Sequence, residues 1–86
     1  MPEISRFFGI IIRMYFDDHA PPHFHARYGG YEAVVAISPI RILHGDLPRR
    51  AASMIIEWAA LHQRELAENW RRVSQSQPAE RIAPLQ

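Results

Sequence analysis

The chain has 86 residues, of which 48% are hydrophobic and 22% charged, enough for one small domain with a single core and too apolar for a disordered segment. The net charge is +1 and all ten basic residues are arginine, so no broad basic field draws the chain to nucleic acid, although arginine forks suit phosphate or carboxylate. No apolar run approaches the roughly 18 residues needed to cross a bilayer, and the opening Met1–Arg6 carries an acid rather than a secretory pattern; with no cysteine, disulfides and thiolate metal sites are excluded and a reducing cytoplasm is the expected compartment.

Residues 7–16, FFGIIIRMYF, are branched and aromatic and predict a strand. Alternation puts Phe8, Ile10, Ile12, Met14 and Phe16 on one face, and Phe7, Gly9, Ile11, Arg13 and Tyr15 on the other, more polar one. The next run, Asp17-Asp18-His19-Ala20-Pro21-Pro22-His23-Phe24-His25, gathers three of the five histidines around a proline-stiffened bend. Residues 23–28 then alternate, with His23, His25 and Arg27 on one face and Phe24, Ala26 and Tyr28 on the other. Gly29-Gly30 is a two-residue hairpin signal. With 31–37 as the return strand, it pairs Tyr28 with Tyr31, Arg27 with Glu32 and Phe24 with Val35.

Ser38-Pro39 marks a further turn, Ile40 to His44 a short fourth strand, and Asp46 a helix cap with Pro48 in the first turn. From Leu47 to Ser74 the pattern is helical: Ala51, Ile55, Trp58, Leu66 and Val73 form the apolar stripe, with arginines and glutamates opposite. Residues 76–86, with Pro78 and Pro84, read as a loose tail. The expected fold is α+β: a four-stranded antiparallel sheet in the order β-β-β-β-α, packed by one long C-terminal amphipathic helix, as a single domain over residues 1–75.

Chemistry concentrates at the histidine bend. On a strand, His23 and His25 point the same way with Cα atoms about 6–7 Å apart, so both can grip one ion. His19 can fold back to join them, and Asp18 can add an oxygen ligand or orient an imidazole. Zinc, iron or manganese suits such a set. A second candidate is His62, in the apolar stripe one turn from Trp58, with Asn69 near the same line. Both need partners, since burying either unsatisfied costs about 1–3 kcal/mol. Alternation places His23 and His25 on the sheet face away from the helix, and hence apart from His62; reversed faces would bring the three together. The third candidate is an acid–base or RNA-binding face made by Arg13, Tyr15, His23, His25 and Arg27, where arginine and tyrosine hold phosphate and histidine moves a proton. A phosphate-cradling glycine loop, a dinucleotide fingerprint and an H-E-x-x-H helix are all absent from the sequence.

The stretches PEISRFFGIIIRMYFDDHAPPHFHARYG, LHGDLPRRA and WAALHQRELAENW resemble the bacterial domain-of-unknown-function family forty-one sixty, from Pro2 to about Pro84. The family pattern falls on Arg6, Gly9, Arg13, His19, Pro22, His23, His25, Tyr28, Gly45, Pro48, Trp58, His62 and Trp70. The chain departs from it at Ser38-Pro39-Ile40, where an acidic, glycine-containing turn is usual. The family has no established activity. Members resemble small accessory genes that lie beside another small gene, and this implies a toxin–antitoxin type of module.

Three functions follow as expectations. The leading one is a component of a toxin–antitoxin-like pair that acts on or binds RNA, with ribonuclease-like activity carried by Arg13, His19, His23 and His25. Arg6, Tyr15, Asp18, Arg27, Tyr28 and His62 would assist binding, and a small antitoxin-like partner would control it. The second is a metal-binding module using His19, His23 and His25, with Asp18 or His62 as further ligands. The third is a non-catalytic interaction module that docks a partner or forms a homodimer.

Overall fold

The computed structural model describes residues 3–16 and 18–86. Five strands precede two helices: β1 (Glu3–Phe7), β2 (Ile10–Arg13), β3 (His23–Tyr28), β4 (Tyr31–Ile37), β5 (Ile40–Gly45), α1 (Arg49–Leu61) and α2 (Gln63–Ser74). The strands form one antiparallel sheet in the order β1-β2-β3-β4-β5, each paired with its sequence neighbour. The α+β class is as expected, but the sheet has five strands rather than four and the helical region is two helices rather than one.

The extra strand arises inside the run read as one strand over 7–16. Phe8 and Gly9 both have positive φ, +49° and +80°, the requirement of a mirror-image hairpin turn. Phe7 therefore pairs with Ile10. The turn also resets the alternation. Ile10, Ile12 and Met14 are buried as expected, but Phe7 joins the core while Phe8 is 61% exposed. Aromatic residues rarely adopt positive φ, which is why the sequence pattern hides this turn. The β3–β4 hairpin has the expected register, with Tyr28 opposite Tyr31, Arg27 opposite Glu32 and Phe24 opposite Val35. Between β4 and β5 the register slips at Val34/Val35.

The helices cover the face that carries Ile12, Phe24, Ala26 and Val35. All five residues of the expected stripe, Ala51, Ile55, Trp58, Leu66 and Val73, are buried. Trp58 is fully buried, with its ring 5.4 Å from that of Phe7 and edge-on to Phe24 at 5.7 Å. The helix is interrupted at His62 (φ −119°, ψ 26°), which ends α1 and precedes α2. The interruption lets the Gln63 side chain donate to the Ile37 carbonyl at 2.6 Å and brings Trp70 of α2 against His23 of β3. Asp46 does not cap α1. Pro48 occupies the cap position with no side-chain hydrogen bond, and the Asp46 N–H instead donates to the Glu32 carbonyl.

The segment read as a loose tail is tied down. Asn69 Nδ2 donates to the Glu80 carbonyl at 2.8 Å, and the Glu80 N–H donates to Asn69 Oδ1 at 2.9 Å. Trp58 Nε1 donates to the Ala83 carbonyl, and the Ile82 N–H donates to the Ile4 carbonyl of β1. Ile82 is buried in the core, so the packed unit runs past residue 75.

Candidate metal centre

The sheet face away from the helices carries the chemistry. Alternation on β3 turns Phe24 and Ala26 into the core, where both are fully buried, and leaves His25 half-buried on the other face. His23 is buried, and Trp70 of α2 lies 5.1 Å from it, ring to ring. Tyr15 stands edge-on to His25 at 4.6 Å. The two imidazoles, 5.2 Å apart, are therefore walled by an aromatic on each side.

Asp18 closes the group. Its Oδ2 lies 2.9 Å from His23 Nε2 and 3.0 Å from His25 Nε2. Asp18, His23 and His25 each offer one ligand atom, and these atoms all lie within 4.8 Å of one another. Burial raises the Asp18 carboxyl, but the hydrogen bond from His25 and the charge and hydrogen bond of His23 outweigh it and hold the acid below its ordinary range.

His23 carries the strongest clue. Its Nδ1 lies 2.8 Å from the Pro21 carbonyl oxygen. A carbonyl only accepts, so Nδ1 holds a proton and donates it. In the neutral ring Nε2 then bears a lone pair, aimed at a carboxylate oxygen. Two acceptors at that distance repel unless a positive centre lies between them, either a second ring proton or a metal cation. Tying the far ring nitrogen to a backbone carbonyl is also how proteins orient metal-ligating histidines. At metal–ligand lengths near 2.1 Å, ligand atoms are ~3.0 Å apart at a right angle and ~3.4 Å apart in a tetrahedron. The two Asp18–imidazole separations, 2.9 and 3.0 Å, need open by only a few tenths of an ångström, or not at all.

Other expected site residues lie elsewhere. His19 is exposed and outside the cluster; Asp18 takes the third position instead. Tyr28 turns to the helix side and packs against the core. Arg27 is exposed and donates to the Gly29 carbonyl. Arg6 pairs with Glu3 at 2.8 Å on β1. His62 is on the helix side, its ring tilted against that of Trp58 at 5.6 Å and bonded to Glu65 at 2.6 Å, so it does not join His23 and His25. Asn69 finds its partners in the Glu80 backbone. Arg13 stands directly across from His25 in the β2–β3 register. Two further residues lie near this group, Trp70 against His23 and His44 two strands from His25. Trp70 depends on the helix interruption, whereas His44 follows from alternation along β5, opposite Val34.

The domain is thus a small antiparallel sheet backed by helices, with Asp18, His23 and His25 gathered at its open face. The chain belongs to the family described as Domain of unknown function (DUF4160), whose sequence profile matches residues 9–71. Comparison with curated proteins and with solved structures gives no match. None of the described helices is long and apolar enough to cross a membrane.

Proposed function

We propose that this protein is a divalent-metal-binding domain in which Asp18, His23 and His25 are the protein ligands. The observation that carries this reading is the convergence of both Nε2 atoms on one Asp18 oxygen, with His23 Nδ1 locked onto the Pro21 carbonyl. A pair of imidazoles with one carboxylate suits zinc, iron or manganese, and three ligands leave coordination positions for water or substrate. Elemental analysis of protein purified without a histidine tag tests it. About one ion per chain is expected, lost in the His23→Ala, His25→Ala double variant. Titration of that variant and of the parent with zinc or manganese should separate them by well over tenfold in affinity. Equal, weak binding by both would overturn the reading.

A second reading is favoured by Arg13 opposite His25 and by Tyr15 against its ring. Here the same face binds or cleaves RNA as part of a cytoplasmic toxin–antitoxin-like module, with Arg13 on phosphate, a histidine transferring the proton and a small partner protein in control. Purified protein that neither binds nor cuts RNA, and whose expression leaves growth unchanged, would count against it.

A further inference from the structure

One row of side chains crosses the open face in register: Glu3 on β1, Arg13 on β2, His25 on β3, Val34 on β4 and His44 on β5. Arg13 is the unexplained member. It is half-buried, and its Nε is a buried donor with no acceptor among the described residues. Among the described residues no carboxylate pairs with it; the nearby Glu3 is taken by Arg6 and Arg81. Buried N–H groups without acceptors are rare, and one in a native fold calls for a partner. Arg13 pairs in register with His25, and a guanidinium near a bound cation is electrostatically costly unless an anion sits between them.

Charge selects the anion. Among the described residues, a divalent ion offset by the Asp18 carboxylate, with Arg13 opposite His25 in register, leaves about two positive charges uncompensated. On the next row Arg27 stands opposite Glu32 in register, so that row carries one charge of each sign. We infer that the loaded site takes a phosphate dianion, free or as a monoester, with one oxygen on the ion and another on the Arg13 fork. This inference rests on the metal-binding reading. The fork and a point charge together match the spread of oxygens on a phosphate better than either does alone. A shallow depression of about 350 Å³, lined by His25, Glu32, Val34 and His44, leaves room for an esterified group. An internal phosphodiester carries only one charge and matches this balance less well.

The test is calorimetric titration of inorganic phosphate and of dimethyl phosphate into manganese-loaded full-length protein, parent and Arg13→Gln. Phosphate is expected to bind the loaded parent, dimethyl phosphate at least about tenfold more weakly, and the variant to lose about tenfold for phosphate. Manganese affinity should stay within about threefold in the variant, which a merely structural role for Arg13 would not predict. Arg13→Lys, which keeps the charge and loses the fork, should fall between the two and serves if the glutamine variant does not fold. Manganese binding without phosphate binding overturns the inference alone, as does phosphate binding indifferent to Arg13. Failure to bind manganese overturns the metal reading and this inference with it.

Discussion

Asp18 and His23 meet at 2.9 Å across the proline bend, and the far nitrogen of that imidazole is held by the Pro21 carbonyl at 2.8 Å. The ring is thus fixed at both ends, and Asp18 rather than His19 completes the cluster. Asp18→Asn removes the charge while keeping one oxygen, so ion affinity should fall by at least the roughly 10–100-fold typical of losing an outer-shell partner of a metal ligand. His19→Ala should leave affinity within about threefold, since His19 is exposed and outside the group. Metal titration followed by the emission of Trp70, whose ring lies 5.1 Å from His23, measures both. An equal loss in the two variants would sink the assignment.

Trp58 joins sheet, helix and C-terminal segment. It is fully buried against Phe7 and Phe24 and donates to the Ala83 carbonyl at 2.9 Å. Trp58→Ala should cost about 3–5 kcal/mol, enough to unfold many domains of this size. Trp58→Phe keeps much of the packing but leaves the Ala83 carbonyl without its donor, and should cost about 1–3 kcal/mol. Urea denaturation compares them.

Asn69 is one of several anchors of the C-terminal segment. Asn69 both donates to and accepts from the Glu80 backbone. Asn69→Ala should lower stability by about 1–3 kcal/mol, and the melting temperature by roughly 4–8 °C per kcal/mol in a domain of this size. Residues 77–86 should become the first point of proteolytic cleavage. If they stay as resistant as in the parent, other contacts hold the segment.

Glycine positions separate sharply. At Gly45 (φ +90°) an added Cβ would sit 2.2 Å from the Glu32 carbonyl oxygen, a backbone atom that cannot swing away. At Gly30 nothing lies within 4 Å and no positive φ is found. Gly45→Ala should therefore destabilise severely, by about 3 kcal/mol or more, whereas Gly30→Ala should stay within about 1 kcal/mol of the parent. Thermal melts of the two variants decide it.

Acid should loosen the junction between β1 and the C-terminal segment. Hydrogen bonds from Arg6 and Arg81 lower the Glu3 carboxyl from 4.5 to about 2. A carboxyl depressed on folding contributes stability that is fully present above 4.5 and is lost as pH falls towards 2. The gap in melting temperature between the parent and Glu3→Gln should be largest near neutrality and vanish by about pH 2, shrinking also with added salt because the group is at the surface. A gap independent of pH would refute this account.

What could be read from the residues was whatever depended on alternation and period. The register from Phe24 to Val35 follows from two glycines and a run of period two, and the buried stripe from Ala51 to Val73 from period 3.6. Three features escaped. The turn at Phe8-Gly9 places an aromatic where glycine or asparagine is the usual signal. The interruption at His62 has no proline or glycine to mark it; it is met instead by side-chain bonds from His62 to Glu65 and from Gln63 to Ile37. The docking of residues 77–86 depends on long-range bonds from Asn69 and Trp58 that a polar, proline-containing composition conceals. At the site, the run of histidines was legible, but which three groups converge depends on how the bend closes, and that selects Asp18 over His19.

The two borders of the sheet are guarded differently. β1 has its outer rim occupied by Ile82, whose amide bonds Ile4, while β5 breaks step with β4 at Val34/Val35 and carries a cation at Arg41. Such devices discourage strands of neighbouring molecules from zipping together into fibres. The rim of β1 is therefore the better shielded of the two, since β5 leaves Ile42 and Leu43 exposed along its length.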